Sequence, residues 1–214
     1  MSGALVDVDG TLIAPPSTEV RFAAHLVRMR HLGARQATRV ALFLARWGPR
    51  YGPRVFKKNK AYLDGLAVDA IAEIAEEFLR DEIAPRLRAS VLRRLEAHRA
   101  AGEGIALVTG APDFIARALA PHVGATAWAA TECARSNGVF TDAPPLVHPF
   151  GAEKIVHARH LCARLGWTLD DCAAYGDSAH DAALLARVAR PVAVHPDRAL
   201  ARIAETRGWD VIAD

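Results

Sequence analysis

The chain lacks any apolar run that approaches the roughly 18 to 20 residues needed to cross a bilayer. Its longest candidate, residues 40–45, is bounded by Arg39 and Arg46. The first residues, Met-Ser-Gly-Ala-Leu-Val-Asp, have neither the basic start nor the apolar stretch of a signal peptide. These absences predict a cytoplasmic protein without stable membrane insertion.

Cysteine is also scarce. Cys133, Cys162 and Cys172 are an odd number without the close spacing of a disulfide framework or a zinc site. We therefore expect reduced, mostly buried thiols. The net charge of +3 is only mildly basic, which permits an anionic substrate but gives no reason to expect a nucleic-acid partner.

Lysine is rare as well, because almost all of the basic residues are arginine. The only lysines are Lys57, Lys58, Lys60 and Lys154, so that Lys154 is alone in the C-terminal two-thirds of the chain. Lys154 is therefore either an ordinary lysine on an exposed helical face or a group that catalysis requires.

The spacing of apolar residues changes twice along the chain. Residues 4–8 predict a short buried strand, and residues 17–83 predict helices, with a loop at residues 47–54 because each proline there breaks a helix. Beyond residue 85, short strands alternate with helices, including a hairpin at Asn137-Gly138 and a helix at residues 178–188. This pattern predicts an α/β fold: a Rossmann-like parallel sheet core, residues 1–14 and 86–214, with an inserted all-helical cap domain at residues 15–85.

Three of the predicted strands end in polar residues, at the edge where open α/β sheets bind ligands. These residues are Asp7, Asp9 and Thr11, then Thr109 and Gly110, then Asp177 and Asp181. Packed carboxylates repel one another unless a cation lies among them, and oxygen ligands of this kind suit Mg²⁺. We therefore predict a Mg²⁺ site at this edge, within reach of Lys154.

The same residues resemble the four motifs of the haloacid-dehalogenase superfamily. Asp7-Val-Asp-Gly-Thr-Leu12 is similar to the first motif and Val108-Thr-Gly110 to the second. Lys154 fits the third motif, and Gly176-Asp-Ser-Ala-His-Asp181 fits the fourth. Order and spacing agree over nearly the whole chain, and the helical insert resembles the cap of the phosphoserine-phosphatase-like branch. The resemblance implies a Mg²⁺-dependent phosphatase that acts on a small phosphomonoester through an aspartyl-phosphate intermediate.

The resemblance also implies a role for each matching residue. Asp7 would attack phosphorus, and Asp9 would protonate the leaving alcohol and later deprotonate the attacking water. Thr109 would hydrogen-bond a phosphoryl oxygen, and Lys154 would stabilise charge on the nucleophile and the phosphoryl group. The implied Mg²⁺ ligands are Asp7, the backbone carbonyl of Asp9, Asp177 and, directly or through a water, Asp181.

Four further residues are predicted to contact the substrate: Thr11, Gly110, Arg50 and Lys57. Arg50 and Lys57 belong to a basic and aromatic cluster in residues 46–62. This cluster is either a mouth that attracts an anionic substrate and packs against its organic part, or a solvated face above core aromatics. Phosphoserine phosphatases bind the substrate's ammonium group with a cap glutamate shortly after the first motif. Here Glu19 comes later, which argues against phosphoserine as the substrate.

Three other functions share parts of this pattern. A receiver-like phospho-switch also places an acceptor aspartate, a Mg²⁺ site, a threonine and a lysine at a sheet edge. Asp9 argues against a switch, because an acid/base beside the acceptor shortens the life of a phosphoaspartate, and the long helical insert has no purpose there. Asp9 also argues against a carbon–halogen hydrolase of the same superfamily. A phosphotransferase with an acceptor other than water stays open.

Overall fold

The structure, a computed structural model, describes residues 2–213. Its strands are β1 (Gly3–Val6), β2 (Gly104–Pro112), β3 (Ala127–Thr131), β4 (Arg135–Ser136), β5 (Val139–Phe140), β6 (Ala173–Gly176), β7 (Arg190–Val194) and β8 (Asp210–Ile212). Its α-helices are α1 (Thr18–Arg28), α2 (Ala34–Tyr51), α3 (Val55–Lys58), α4 (Val68–Phe78), α5 (Ala89–Ala100), α6 (Asp113–Val123), α7 (Glu153–Leu165), α8 (Ala182–Leu185) and α9 (Arg198–Arg207). Short 3₁₀ turns occupy Gly52–Arg54, Ala61–Leu63, Ala84–Arg86 and Leu169–Asp171, and a π-helical turn occupies Leu79–Ile83. Within residues 2–213, no helix has both the length and the apolar character that crossing a membrane requires.

Six strands form one parallel sheet in the order β3-β2-β1-β6-β7-β8. The central strand β1 lies between β2 and β6, which are the two other strands with polar ends. The carboxyl ends of all three therefore meet at one edge of the sheet. This arrangement confirms the predicted α/β fold and the neighbourhood of the three polar strand ends.

Both faces of the sheet are covered, as a parallel sheet requires. Side chains alternate along β1, so Ala4 and Val6 pack into one buried cluster and Leu5 into the other. The first cluster includes residues of α1, α4, α5 and α6, and the second includes residues of α7, α8 and α9. Because β1 is fully buried on both sides, the polar residues that follow it are held in a rigid position.

The segment between β1 and α5 is helical, as predicted. It packs on the core through α1, where the Phe22 ring lies 5.3 Å from those of Phe78 and Phe114. The antiparallel pair β4 and β5 forms the expected hairpin, with positive φ at Asn137 and Gly138. The hairpin also bonds to the helical segment, since the N–H of Phe140 donates to the carbonyl of Leu66. The division into a core domain and a cap domain at residues 15–85 stays a prediction.

The predicted loop at residues 47–54 is wrong in its first half. Helix α2 continues through Pro49 and ends at Tyr51. Proline lacks one backbone donor, but the rings of Trp47 and Tyr51, one turn apart, stack at 5.8 Å. The ring of Phe43, one turn earlier, lies 6.3 Å from that of Trp47. This aromatic row, packed against Val55 and Ala61, holds the last turn in place.

The helix predicted at residues 178–188 is much shorter than expected. Only Ala182–Leu185 is α-helical. The carboxylate of Asp181 accepts hydrogen bonds from the backbone N–H groups of Asp177 and Ser178 and from the Ser178 hydroxyl. These bonds fold residues 177–181 into a turn, so that the helix begins only after it.

Candidate active site

A cavity of about 260 Å³ lies where β1, β2 and β6 end beneath the helical segment. Its lining combines residues of the predicted motifs with residues of the cap: Asp7, Asp9, Ser17, Glu19, Lys57, Lys60, Thr109, Gly110, His148, Phe150, Lys154, Asp177, Ser178 and His180. Most of the predicted site residues therefore face one enclosed space.

Lys154 lies between two carboxylates at the floor of this cavity. Its Nζ is 2.8 Å from Asp7 Oδ1 and 2.5 Å from Asp181 Oδ1, and its side chain is only 4% exposed. Burial alone lowers the pKa of a lysine, but the charges of Asp7 and Asp181 outweigh burial and hold the pKa of Lys154 above its ordinary value. Lys154 is therefore a permanent cation and not a surface lysine.

Thr11 and Gly10 position Asp177. The hydroxyl of Thr11 donates to Asp177 Oδ1 at 3.2 Å, and Thr11 is fully buried. Gly10 has φ of +92°, and a Cβ there would lie 2.1 Å from Asp177 Oδ2. The backbone therefore approaches Asp177 more closely than any residue other than glycine allows. Thr11, predicted to contact the substrate, instead touches this carboxylate and is not part of the cavity lining.

Asp7, Asp177 and Asp181 form a cluster suited to a metal ion, since one oxygen from each lies within 4.8 Å of the others. One lysine does not neutralise three carboxylates. Burial, followed by the charge of Asp181, raises the pKa of Asp177 to about 6. Burial also raises the pKa of Asp7 to about 8, against the opposing charge of Lys154. A hard cation bound to these oxygens would relieve both effects.

Asp9 lies beside this cluster but points differently. Its Oδ1 accepts the backbone N–H of Thr18 at 2.6 Å, which ties the end of β1 to the start of α1. Burial raises the pKa of Asp9, although the hydrogen bonds from Thr18 oppose this rise. The carboxyl group of Asp9 is not part of the three-carboxylate cluster, and metal binding by its backbone carbonyl stays a prediction.

Thr109 and Gly110 border the cavity from β2. Thr109 Oγ1 accepts the backbone N–H of Ala111 at 3.1 Å, which leaves its hydroxyl hydrogen available to an oxygen atom in the cavity. The Gly110 carbonyl accepts the hydroxyl of Thr131 at 2.7 Å. Both residues thus line the cavity, and their contact with a phosphoryl group stays a prediction.

The cap reaches the cavity mouth through Lys57, whose Nζ lies 5.6 Å from the centre of the Phe150 ring. The same ring packs against His180, which is exposed, at 4.4 Å between centroids. Arg50, the other cap residue predicted to contact the substrate, does not line the cavity. Its guanidinium lies 5.9 Å from the centre of the Tyr51 ring, on the outer surface of the cap.

Glu19 belongs to the cavity but is already paired. Its Oε2 is 2.5 Å from Lys60 Nζ, and its Oε1 accepts the Tyr62 hydroxyl at 3.1 Å. Lys60 is 2% exposed, so it is a buried partner of Glu19 and not part of a solvated cluster. The sequence contains one signal that could have pointed to Glu19. It is the only Asp or Glu between Asp9 and Asp64, in a segment rich in basic residues.

His148 was not predicted and brings an acceptor to the cavity wall. The single hydroxyl hydrogen of Thr131 goes to the Gly110 carbonyl, so the 2.8 Å contact between Thr131 Oγ1 and His148 Nδ1 requires a hydrogen on Nδ1. His148 Nε2 is then an acceptor, and it has no hydrogen-bond partner among the described residues. Burial, followed by the charge of Lys60, lowers the pKa of His148 to about 3, so the ring stays neutral.

A match to a protein-family model identifies the family of this chain. The model of the haloacid dehalogenase-like hydrolase family matches residues 4–186. The chain belongs to this family. The matched span begins at β1 and includes all four motifs, from Asp7 to Asp181.

Relatives of this haloacid dehalogenase-like hydrolase come from several bacteria. An inhibition of morphological differentiation protein from Streptomyces azureus is 32% identical over 99% of this chain and 78% of its own length. A phosphoserine phosphatase from Mycobacterium tuberculosis is 30% identical over 72% of this chain and 50% of its own length. The chain thus spans about half the length of some mycobacterial relatives.

Solved structures share the fold. A Bordetella pertussis Tohama I protein of unknown function has a TM-score of 0.83 and 29% identity, and the match covers 99% of this chain and 98% of that one. A substrate-bound phosphoserine phosphatase has a TM-score of 0.59 at 15% identity, covering 100% of this chain and 94% of that one. The second likeness confirms the α/β fold of this hydrolase family and carries no information about substrate.

Proposed function

We propose that this hydrolase is a Mg²⁺-dependent phosphomonoesterase that acts through an aspartyl-phosphate on Asp7. The observation that supports this best is the geometry around Lys154, which holds Asp7 and Asp181 at 2.8 and 2.5 Å beside Asp177. Three carboxylates around one ammonium group leave surplus negative charge, which a hard divalent cation would neutralise.

The reaction would proceed in two displacements at phosphorus. In the first, an Asp7 oxygen forms a bond to phosphorus, the bond to the leaving oxygen breaks, and Asp9 gives its proton to that oxygen. In the second, a water oxygen forms a bond to phosphorus, the bond to Asp7 breaks, and Asp9 takes the water's proton. The raised pKa of Asp9, caused by burial, supports its service as the acid of the first step.

The remaining groups would position the phosphoryl group and neutralise its charge. Lys154 would attract a phosphoryl oxygen while it holds Asp7 in line, and the Thr109 hydroxyl would donate to a second oxygen. Asp7, the carbonyl of Asp9, Asp177 and Asp181 would hold Mg²⁺. When bound, Mg²⁺ would supply charge neutralisation between the nucleophile and the phosphoryl oxygens.

The cap side of the cavity favours a substrate with a second anionic group. Glu19 is neutralised by Lys60 and Tyr62, so no free carboxylate of the cap lines the cavity within the described residues. Lys57 lies at the mouth, and no carboxylate among residues 2–213 is within ion-pair distance of it. A small phosphorylated metabolite with a carboxylate or a second phosphate fits this arrangement better than an amino alcohol phosphate.

Phosphate release from a panel of phosphomonoesters tests the proposal. We expect turnover that requires Mg²⁺ and is lost with a chelator. Asp7→Asn should reduce kcat on the order of 10³-fold or more, because no other group replaces the nucleophile. Asp170→Asn is the matched control, since Asp170 is exposed and outside the cavity. Within the panel, Lys57→Gln should raise KM for doubly anionic esters while Arg54→Gln leaves it unchanged.

Three results would contradict the proposal at different points. Equal turnover in Asp7→Asn and wild type would exclude Asp7 as the nucleophile. Turnover that needs Asp7 but shows the same KM in Lys57→Gln and wild type would retain the phosphatase and remove the proposed substrate class. Loss of the phosphoester without release of inorganic phosphate would point to transfer to another acceptor.

A further inference from the structure

One part of the predicted cap, residues 20–63, is far more basic than the rest of the chain. Residues 20–63 contain eleven Lys and Arg and no Asp or Glu, whereas the remainder contains 16 Lys and Arg and 24 Asp and Glu. The small net charge of the whole chain therefore hides two regions of opposite sign. Of these eleven cations only Lys57 and Lys60 line the cavity, so the rest of the excess calls for a separate explanation.

Five of these cations lie close together in the sequence, four of them exposed and Lys58 half-buried. We call this group the cationic cap face: Arg46, Arg50, Arg54, Lys57 and Lys58. Elsewhere in the cap, Arg28, Arg39 and Lys60 are paired with carboxylates. No carboxylate of the described residues lies within 4.0 Å of any cation of the cationic cap face. Such a concentration of unpaired positive charge attracts an extended anionic surface.

Aromatic rings lie directly beneath these cations. The Arg46 guanidinium is 5.3 Å from the centre of a Trp47 ring, and Lys58 Nζ is 5.5 Å from that of Tyr51. Trp47 and Tyr51 stack on each other and are half-buried. Since Trp and Tyr combine a large apolar body with a polar tip, this layer resembles the composition of protein surfaces at the membrane–water interface.

Exposed apolar side chains are concentrated in the same part of the molecule. Among the described residues, eight large apolar side chains are exposed, and five of them lie in residues 20–63. Leu42 is 54% exposed and lies one helical turn before Arg46, and Phe56 is 70% exposed between Arg54 and Lys57. An aliphatic side chain gains little from stacking on bases but gains from entering a layer of lipid.

The cationic cap face continues to the mouth of the catalytic cavity. Lys57 belongs to both, since it lines the cavity and lies next to Phe56 in α3. We propose that this face is a peripheral docking surface for an anionic lipid bilayer, with Leu42 and Phe56 among the headgroups and the cavity mouth beside the membrane. Binding to the bilayer does not depend on the proposed catalysis, so the two proposals can fail separately.

Flotation of the full chain with unilamellar vesicles tests this docking. Vesicles of phosphatidylcholine with phosphatidylglycerol should carry the protein, and vesicles of phosphatidylcholine alone should not. A triple variant, Arg46→Gln, Arg54→Gln and Lys58→Gln, should weaken partitioning on the order of 100-fold, because each basic residue near an anionic surface contributes about a factor of five. Phe56→Ser should weaken it roughly tenfold through the loss of apolar contact.

The matched control is a triple variant with the same change of charge on the core: Arg117→Gln, Arg159→Gln and Arg202→Gln, all exposed. It should partition like wild type, with melting temperatures of all variants measured to confirm folding. Equal loss in both triple variants, binding to neutral vesicles, or no flotation at all would overturn the proposal. Tighter binding to a random single-stranded oligonucleotide at the same salt, with Phe56→Ser without effect on vesicles, would overturn it in favour of nucleic acid.

Discussion

The two edges of the parallel sheet hold buried or half-buried carboxylates in opposite electrostatic environments. At the carboxyl edge, Asp7, Asp177 and Asp181 share one cation, Lys154. At the amino edge, Glu103 precedes β2 and is fully satisfied by its neighbours. Its carboxylate accepts from Arg190 at 2.6 Å, from His98 at 2.5 Å and from the Ser2 hydroxyl at 3.1 Å.

The pKa values of the two sites follow from this difference. Hydrogen bonding by Arg190, reinforced by His98 and Ser2, lowers the pKa of Glu103 to about 2, although burial opposes it. At the other edge, burial and mutual repulsion raise the pKa of Asp177 to about 6. The amino edge thus uses its carboxylate to stabilise the fold, whereas the carboxyl edge keeps surplus negative charge that a bound cation would neutralise.

Removal of Lys154 should have the largest effect on stability. Lys154→Met leaves two buried carboxylates, Asp7 and Asp181, without their shared cation. We expect a loss of about 3–5 kcal/mol in the free energy of unfolding without Mg²⁺. Urea denaturation measures this loss.

Lys58→Met is the control for the loss of a lysine, since Lys58 has no carboxylate within ion-pair distance in the part of the chain that the structure describes. It should change stability by no more than about 0.5 kcal/mol. If Lys154→Met lowered the free energy of unfolding as little as Lys58→Met does, the carboxyl edge would hold no surplus negative charge. The two edges would then not differ in the way described.

Mg²⁺ should stabilise the protein through the carboxyl edge alone. At a Mg²⁺ concentration of 100 times Kd, binding adds about 2.7 kcal/mol to the free energy of unfolding. Asp177→Asn should abolish most of this gain, and Asp170→Asn should keep it. The melting temperature with Mg²⁺ and with a chelator measures both variants. An equal gain in Asp177→Asn and wild type would place the ion at another site.

Much of this contrast could be predicted from sequence, because it depends on local patterns. The strand before Asp7, the order of the motifs and the isolation of Lys154 place the carboxyl edge correctly. The course of α2 through Pro49 could not be predicted, since it depends on stacking of Trp47 and Tyr51 against residues further along the chain.

Contacts between distant residues explain the other differences. The pairing of Glu19 with Lys60 joins residues 41 positions apart, and neither residue matches a motif. His148 reaches the cavity from an irregular segment between the hairpin and α7. The apolar residues of that segment have no helical or strand periodicity from which the position of His148 could be predicted. Thr11 lies in a motif, but only the packed structure shows that its hydroxyl faces Asp177 and not the cavity.

Loss of the Glu103 carboxylate at the amino edge should have the smallest of the three effects on stability, and this effect should depend on pH. Glu103→Gln removes a carboxylate whose pKa is about 2 when folded and 4.5 in its ordinary state. A carboxylate with a lowered folded pKa stabilises the fold above its unfolded pKa, and this contribution disappears as pH falls through the folded pKa. We therefore expect a loss of about 2 kcal/mol at neutral pH, which shrinks between pH 4.5 and about 2. Urea denaturation of wild type and Glu103→Gln across this range measures it, with the exposed Glu205→Gln as control. If the difference in the free energy of unfolding between wild type and Glu103→Gln stayed constant down to about pH 2, Glu103 would contribute through packing and not through its charge.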